Sequence, residues 1–195
     1  PTPVKALEKK TCVRAATGKQ HTLFITSAGE LLASGSSKQG CVGPAAGKKG
    51  AMVEPTPLEI KGLGEVAAVA CGSNFNLVLD RAGATYAFGW GEFGVLGNGT
   101  DGEHNTKDGS VKLSYAVQST PAKIRSLVGK RIIDVACGAS HCAAVESDGT
   151  CYTWGCGGYG RLGHRDQKDK HVPTPLQEIR VRSVVCGAIN TSALG

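Results

Sequence analysis

The stretch AFGWGEFGVLGNG (87–99) sets Gly89-x-Gly91-x-x-Gly94 directly behind the apolar run Ala84 to Phe88. Behind a strand, that spacing lets backbone amides approach a pyrophosphate, which a following helix N-terminus then receives. Here the next residues are Val95-Leu96-Gly97-Asn98-Gly99, a run that stops a helix. The same G-x-G-x-x-G recurs at Gly155, Gly157 and Gly160, and a third copy keeps Gly35 and Gly40 around Ser37. A phosphate turn has no reason to recur in this way or to lose its middle glycine in one copy. The outer glycines are read as architecture.

Other reactive residues follow the same logic. Eight cysteines (Cys12, Cys41, Cys71, Cys137, Cys142, Cys151, Cys156, Cys186) form no C-x-x-C pair, so no zinc site is expected. Cys71, Cys137 and Cys186 each precede a glycine after an apolar run, which suits a small buried residue and reduced thiols. His21 and His141 occupy one repeating position and are expected to be structural; His104 and His171 are isolated and expected in loops. No Walker loop, nucleophile elbow or paired carboxylate is present, so no catalytic residue and no cofactor are expected. The connection GGYGRLGHRDQKDKH is the richest in binding chemistry, bringing Tyr159, Arg161, His164, Arg165, Lys168 and Lys170 together. Tyr and Arg favour interface hot spots, and Arg and Lys suit an acidic surface. The competing reading packs Tyr159 and Leu162 inside the loop and leaves the rest solvated.

What positions these residues is an internal repeat. Counted from Gly18, Gly72 and Gly138, a second glycine follows at Gly29, Gly83 and Gly149, and a third at Gly35, Gly89 and Gly155. A fourth stands at Gly40, Gly94 and Gly160, and a fifth at Gly43, Gly97 and Gly163, all without a gap. A further copy reaches Gly187. Thr-Pro pairs at 2–3, 56–57, 120–121 and 174–175 mark the start of each copy, giving units of about 1–54, 55–118, 119–172 and an incomplete 173–195. Each unit reads as three short strands: an apolar run before the first glycine, then HTLFIT, FNLVLD or HCAAVE, then LLASG, TYAFG or CYTWG. The loops TSAGE, DRAGA and ESDGT place a glycine where a hairpin needs positive φ. No window carries a long helical period, so very little helix is expected. Units of roughly 50 residues with antiparallel strands predict an all-β chain forming part of a β-propeller, about three and a half blades of it. The polar excess at 98–118 reads as a disordered loop or, alternatively, a contact element.

The run VACGASHCAAVESDGTCYTWGCGGYGRLGH (135–164) resembles the repeat of the regulator of chromosome condensation superfamily: V-x-x-G-x-x-H, a D-G turn, then W-G-x-x-x-x-G-x-L-G. The second unit departs from it with Phe75 in the histidine place. The first has Thr17 for the cysteine, and its SGSSKQGCVG lacks both the aromatic and the leucine. Two runs, GGYGRLGHRDQKDKHVP and EFGVLGNGTDG, the latter followed by an insertion, are most similar to the regulator of chromosome condensation 2 branch, the telophase-disc proteins. The resemblance implies a seven-bladed β-propeller, of which this chain supplies about half. It also implies a non-catalytic interaction scaffold for small GTPases, tubulin and microtubules, or chromosomal proteins. Guanine-nucleotide exchange on a small GTPase is the first alternative and chromatin or nucleic-acid binding the second, with a nuclear or cytoplasmic, cytoskeletal setting.

Charge bears on those partners. The net +6 lies in residues 1–50, with eight Lys/Arg against two Asp/Glu, and the remaining 145 residues carry fourteen of each sign. That is either a basic rim for an acidic partner or a solvated face. No apolar run is long enough for a membrane span. The chain starts without Met and stops after an apolar run, so a longer protein is expected, with further blades or a partner covering the open sides.

Overall fold

The computed structural model describes residues 4–44, 52–106 and 112–195. Its strands follow the repeat. The first sheet runs in order through β1 (Cys12–Thr17), β2 (His21–Thr26), β3 (Leu31–Ser36) and β4 (Val53–Ile60). The second holds β5 (Val66–Cys71), β6 (Phe75–Asp80), β7 (Thr85–Trp90) and then β10 (Val117–Lys123). Between β7 and β10 a separate ladder pairs β8 (Glu103–Thr106) with β9 (Lys112–Tyr115). The third sheet is β11 (Ile132–Cys137), β12 (His141–Glu146), β13 (Cys151–Gly155) and β14 (Lys170–Pro175). A two-stranded sheet of β15 (Ser183–Cys186) and β16 (Thr191–Leu194) follows. All neighbouring strands in these sheets are antiparallel, and the helical content among the described residues is four single 3₁₀ turns. The chain is therefore a run of four consecutive propeller blades, the last one partial.

Two expectations need correction. The Thr-Pro pairs at 56–57, 120–121 and 174–175 lie in β4, β10 and β14, the outermost strand of the preceding blade, so the sheets are offset from the glycine-based units. An outer strand is where proline is tolerated, because its missing N–H falls on an edge. The 98–118 insertion is no plain loop over its described part: it makes the β8–β9 ladder, and Val117 pairs with Trp90. His104 and His171 accordingly lie in β8 and β14 rather than in loops.

The core lies between blades. Leu23, Ile25 and Val42 of the first blade pack with Val78, Tyr86 and Phe88 of the second. Val95 and Leu96 of the second pack with Cys142, Tyr152 and Trp154 of the third. Ala143, Val145 and Cys151 of the third meet Val181 and Val184. The middle strands are covered on both faces, which is why β6 and β12 read as continuous apolar runs instead of alternating. Val42 fills the place of Leu96 and Leu162 in the first blade, so the missing leucine leaves no hole.

The innermost strands β1, β5, β11 and β15 abut in order around the axis. At one end their loops are stitched by backbone bonds of equal length: Lys19 to Ser73, Ser73 to Ala139 and Ala139 to Ala188, amide donating to carbonyl at 3.1 Å each. The first glycine column is fixed here by packing. A Cβ on Gly18, Gly72, Gly138 or Gly187 would collide with the side chain of His21, Phe75, His141 or Asn190 respectively. The hairpin glycines Gly29, Gly83 and Gly149 sit at φ 77°, 87° and 89°, a region that costs other residues strain.

Candidate functional site

The G-x-G-x-x-G segments turn out to be tight turns whose amides are consumed by the protein itself. Gly94 donates to Gly91 O, Gly97 to Gly94 O, and the blade-three counterparts Gly160 and Gly163 repeat the pattern. The middle position carries one recurring bond: the amide of Ser37 donates to Met52 O, that of Gly91 to Ala116 O, and that of Gly157 to the Asp169 carboxylate at 2.7 Å. Donors already bound in this way are not offered to a phosphate. Glycine is needed at the middle place where the return segment presses closest, since a Cβ on Gly157 would collide with Lys168 O.

The fourth and fifth glycine columns frame the blade-to-blade joint. The carbonyl of Cys41 accepts from Asn76 Nδ2 at 2.9 Å, and that of Arg161 accepts from Thr191 Oγ1 at 2.9 Å. Between them in sequence, Val95 O accepts from Trp154 Nε1 at 2.9 Å and from Cys142 Sγ at 3.4 Å. The histidines close this joint. His21 Nε2 bonds Asn76 Oδ1 at 2.7 Å, and His141 Nε2 bonds Thr191 Oγ1 at 3.0 Å. Because Thr191 already donates to Arg161 O, His141 must donate through Nε2–H. Burial holds both imidazoles below their usual pKa, so they stay neutral. Their place in the structure is a joint between blades, not an open pocket.

Three thiols, Cys71, Cys137 and Cys186, line the mouth of the axis beside Thr17. Burial raises all three, Cys186 to about 12, which keeps them protonated and poor nucleophiles.

The six residues singled out in the 157–170 connection separate into two groups. Tyr159 stands 83% exposed at φ 59°, the left-handed region, with the Arg161 guanidinium 5.7 Å from its ring centre. Arg161 Nε donates to Gly158 O at 2.8 Å, so the cation is held in place. Arg165, also at φ 59°, makes an exposed ion pair with Glu178 at 3.3 Å, and Lys168 is exposed. His164 and Lys170 turn inward. Thr153 Oγ1 donates to Leu162 O at 2.6 Å and accepts from His164 Nε2 at 2.9 Å. Burial and the Lys170 charge lower the His164 pKa. Lys170 binds Asp166 at 2.9 Å, which holds the Asp166 carboxyl below the usual carboxylate range. Leu162, but not Tyr159, is the buried member of this loop.

Sequence reasoning passed over Phe93, which precedes Gly94 as Tyr159 precedes Gly160 and shares its φ of 59°. It borders a small pocket with Trp90 and Glu92. Trp90 meets Tyr115 of the insertion edge-on at 5.8 Å, and burial raises the Glu92 pKa. The shared place before the fourth glycine was the available signal. His141 pairs with Gly155 at one end of the third sheet, so the Gly157–Lys168 connection and the axial loops 138–140 lie on the same face. Tyr159 and Phe93 therefore hold equivalent places on one side of the third and second blades.

Comparison with known proteins agrees with this architecture. Residues 82–145 and 148–194 match the regulator of chromosome condensation (RCC1) repeat, and 132–161 match a second description of that repeat. Protein RCC2 of Homo sapiens is 34% identical over 186 residues, covering 89% of this chain but 35% of its own length. The chain thus spans about a third of the length of that curated relative. Among solved structures, human WBSCR16 superimposes with a TM-score of 0.76 at 23% identity, over 96% of this chain and 45% of its own. Yeast RCC1 (Prp20), solved bound to Kap60, superimposes with a TM-score of 0.76 at 21% identity, over 92% and 41%.

Proposed function

Because the chain belongs to the regulator of chromosome condensation repeat family, we propose that it is a protein-interaction scaffold whose partner docks on the Tyr159 face. The observation that carries the reading is Tyr159 itself: a large aromatic, almost fully exposed, on a left-handed backbone and braced by Arg161. Such a conformation costs a non-glycine residue about 1–2 kcal/mol, and a solvent-exposed ring returns little of that in the free protein. A partner pocket that buries the ring would. Arg161, Arg165 and Lys168 around it suit an acidic rim on that partner. A small GTPase fits the family reading, since a fold neighbour, yeast Prp20p, is described by its binding properties to Gsp1p and histones.

The test is capture of purified small GTPases and of nucleosomes by the wild-type protein, by Tyr159→Gly and by Arg165→Glu/Lys168→Glu. Glycine suits φ 59°, so Tyr159→Gly keeps the fold while removing the ring. Both variants are expected to lose at least about tenfold in affinity for the bound partner. Undiminished capture by both rejects this face.

A further inference from the structure

On the face opposite Tyr159, a cavity of about 340 Å³ opens between the β6–β7 hairpin and the crossover from β10 to β11. Its lining is mixed. Leu127 and Ile124 are buried beneath it, Val128 stands 66% exposed at its rim, and Lys123, Lys130 and Arg131 surround it. Two of the cations are held by aromatic rings: Lys123 lies 5.7 Å from the centre of Tyr86, and Lys130 4.9 Å from that of Tyr152. The acids nearby are engaged. Asp80 is bonded by Tyr86 OH and by the Ala84 amide, and Glu146 is shared between Lys130 and Tyr152 OH. Thr85, at the start of β7, also lines the cavity; it is 3% exposed and its hydroxyl has no hydrogen-bond partner among the described residues.

The repeat itself does not demand this charge. The corresponding cavity of the first blade, between residues 28–31 and 59–66, is lined by Glu30, Glu59 and Glu65 against Lys61. Both cavities have an apolar floor, Ile60 and Leu63 in the first and Ile124 and Leu127 in the second, but the two carry opposite charge. A bare anion would leave Val128 uncovered, whereas a purely apolar side chain would desolvate Lys123 and Arg131 without pairing them.

We propose that this cavity binds an acidic peptide segment of a partner protein, its carboxylate between Lys123, Lys130 and Arg131 and an adjacent aliphatic side chain on the exposed Val128. The site is independent of the Tyr159 face and stands or falls separately from it.

Amide-resolved NMR titration of the ¹⁵N-labelled protein tests it, with acetyl-Gly-Glu-Leu-Glu-Gly-amide as probe. The glutamine analogue of that peptide and inorganic phosphate are the comparisons. Saturable shifts confined to Thr85 and 123–131 are expected with the acidic peptide alone, weakened at least about tenfold in Lys123→Glu/Arg131→Glu. A retained amide spectrum in the variant shows that the fold survives. Absence of shifts at these residues overturns the proposal. So do equal shifts with the glutamine analogue, which would mean an apolar site, or with phosphate, which would mean a simple anion site. Shifts centred on Lys168 instead would also overturn it.

Discussion

His21 and Asn76 show how one residue pair holds two blades together, and how the pairing varies down the chain. Asn76 is fully buried; its Nδ2 donates to Cys41 O and its Oδ1 accepts from His21. At the next joint Phe75 replaces the histidine, and the partner across the joint becomes Cys142. At the third, His141 returns and the partner is Thr191, again hydrogen-bonding. A polar ring is thus matched by a polar partner and an apolar ring by a thiol. His21→Phe alone strands Asn76 Oδ1 and is expected to cost about 1–3 kcal/mol. His21→Phe/Asn76→Cys copies the second joint and is expected to recover most of it; chemical denaturation of the four proteins of this cycle measures the coupling. If the double variant is no more stable than the single, the matching is incidental. The pair also sets a pH response. Folding depresses the pKa of His21 and His141 below 6.5, so their contribution is complete above that pH and is lost as pH falls below it. The double variant should show a shallower loss of stability between neutral and acidic pH. The column of His21, Phe75 and His141 was legible in the sequence as structural. Its partner was not, because the donor and acceptor lie 50 or more residues apart in different blades.

Elements were legible to the extent that their surroundings repeat. The second strands HTLFIT, FNLVLD and HCAAVE have the bounds read from the sequence, because a glycine fixes each end and burial on both faces makes the run apolar. The fourth strands were missed, since an outer strand with one solvated face tolerates Pro57, Pro121 and Pro175 and so looks like a linker. Register shifts span Pro57 in β4 and Pro121 in β10, and the shift in β14 spans Pro173. The insertion misled for a related reason: its polar composition reads as a loop, yet Glu103–Thr106 and Lys112–Tyr115 pair as strands. Among elements, β13 is the one whose loss is expected to matter most. Trp154 is fully buried in the joint between blades two and three, and its indole N–H satisfies Val95 O. Trp154→Ala removes that bond and opens a cavity, with an expected cost of about 3–5 kcal/mol. Trp154→Phe, the residue of the same place in the second blade, should lose appreciably less. Thermal unfolding of the two variants decides it, and equal losses would put the weight on the hydrogen bond instead of on packing.

At the scale of the molecule, blades that touch only their neighbours make stability a sum of blade and joint terms. The joints here are unequal. The first two bury large side chains, Phe88 in one and Trp154 in the other, whereas the third is built from Ala136, Ala143, Val145, Cys151, Val181 and Val184. Opening should therefore begin there. Hydrogen exchange is expected to be fastest in β15 and β16 and slowest in β6 and β12, the strands covered on both faces. Uniform protection across the four sheets would mean that the blades unfold as one cooperative unit and that the joint between the third and fourth is as strong as the others. The same hierarchy explains why the fold was more readable than the candidate sites. Glycine columns and apolar strands are imposed by every joint and so repeat, while the exposure of Tyr159, whose counterpart Phe93 is half-buried, and the positive charge of the Lys123–Arg131 cavity each belong to one blade. A feature that occurs once leaves no periodic mark, and its geometry emerges only when the blades are set side by side.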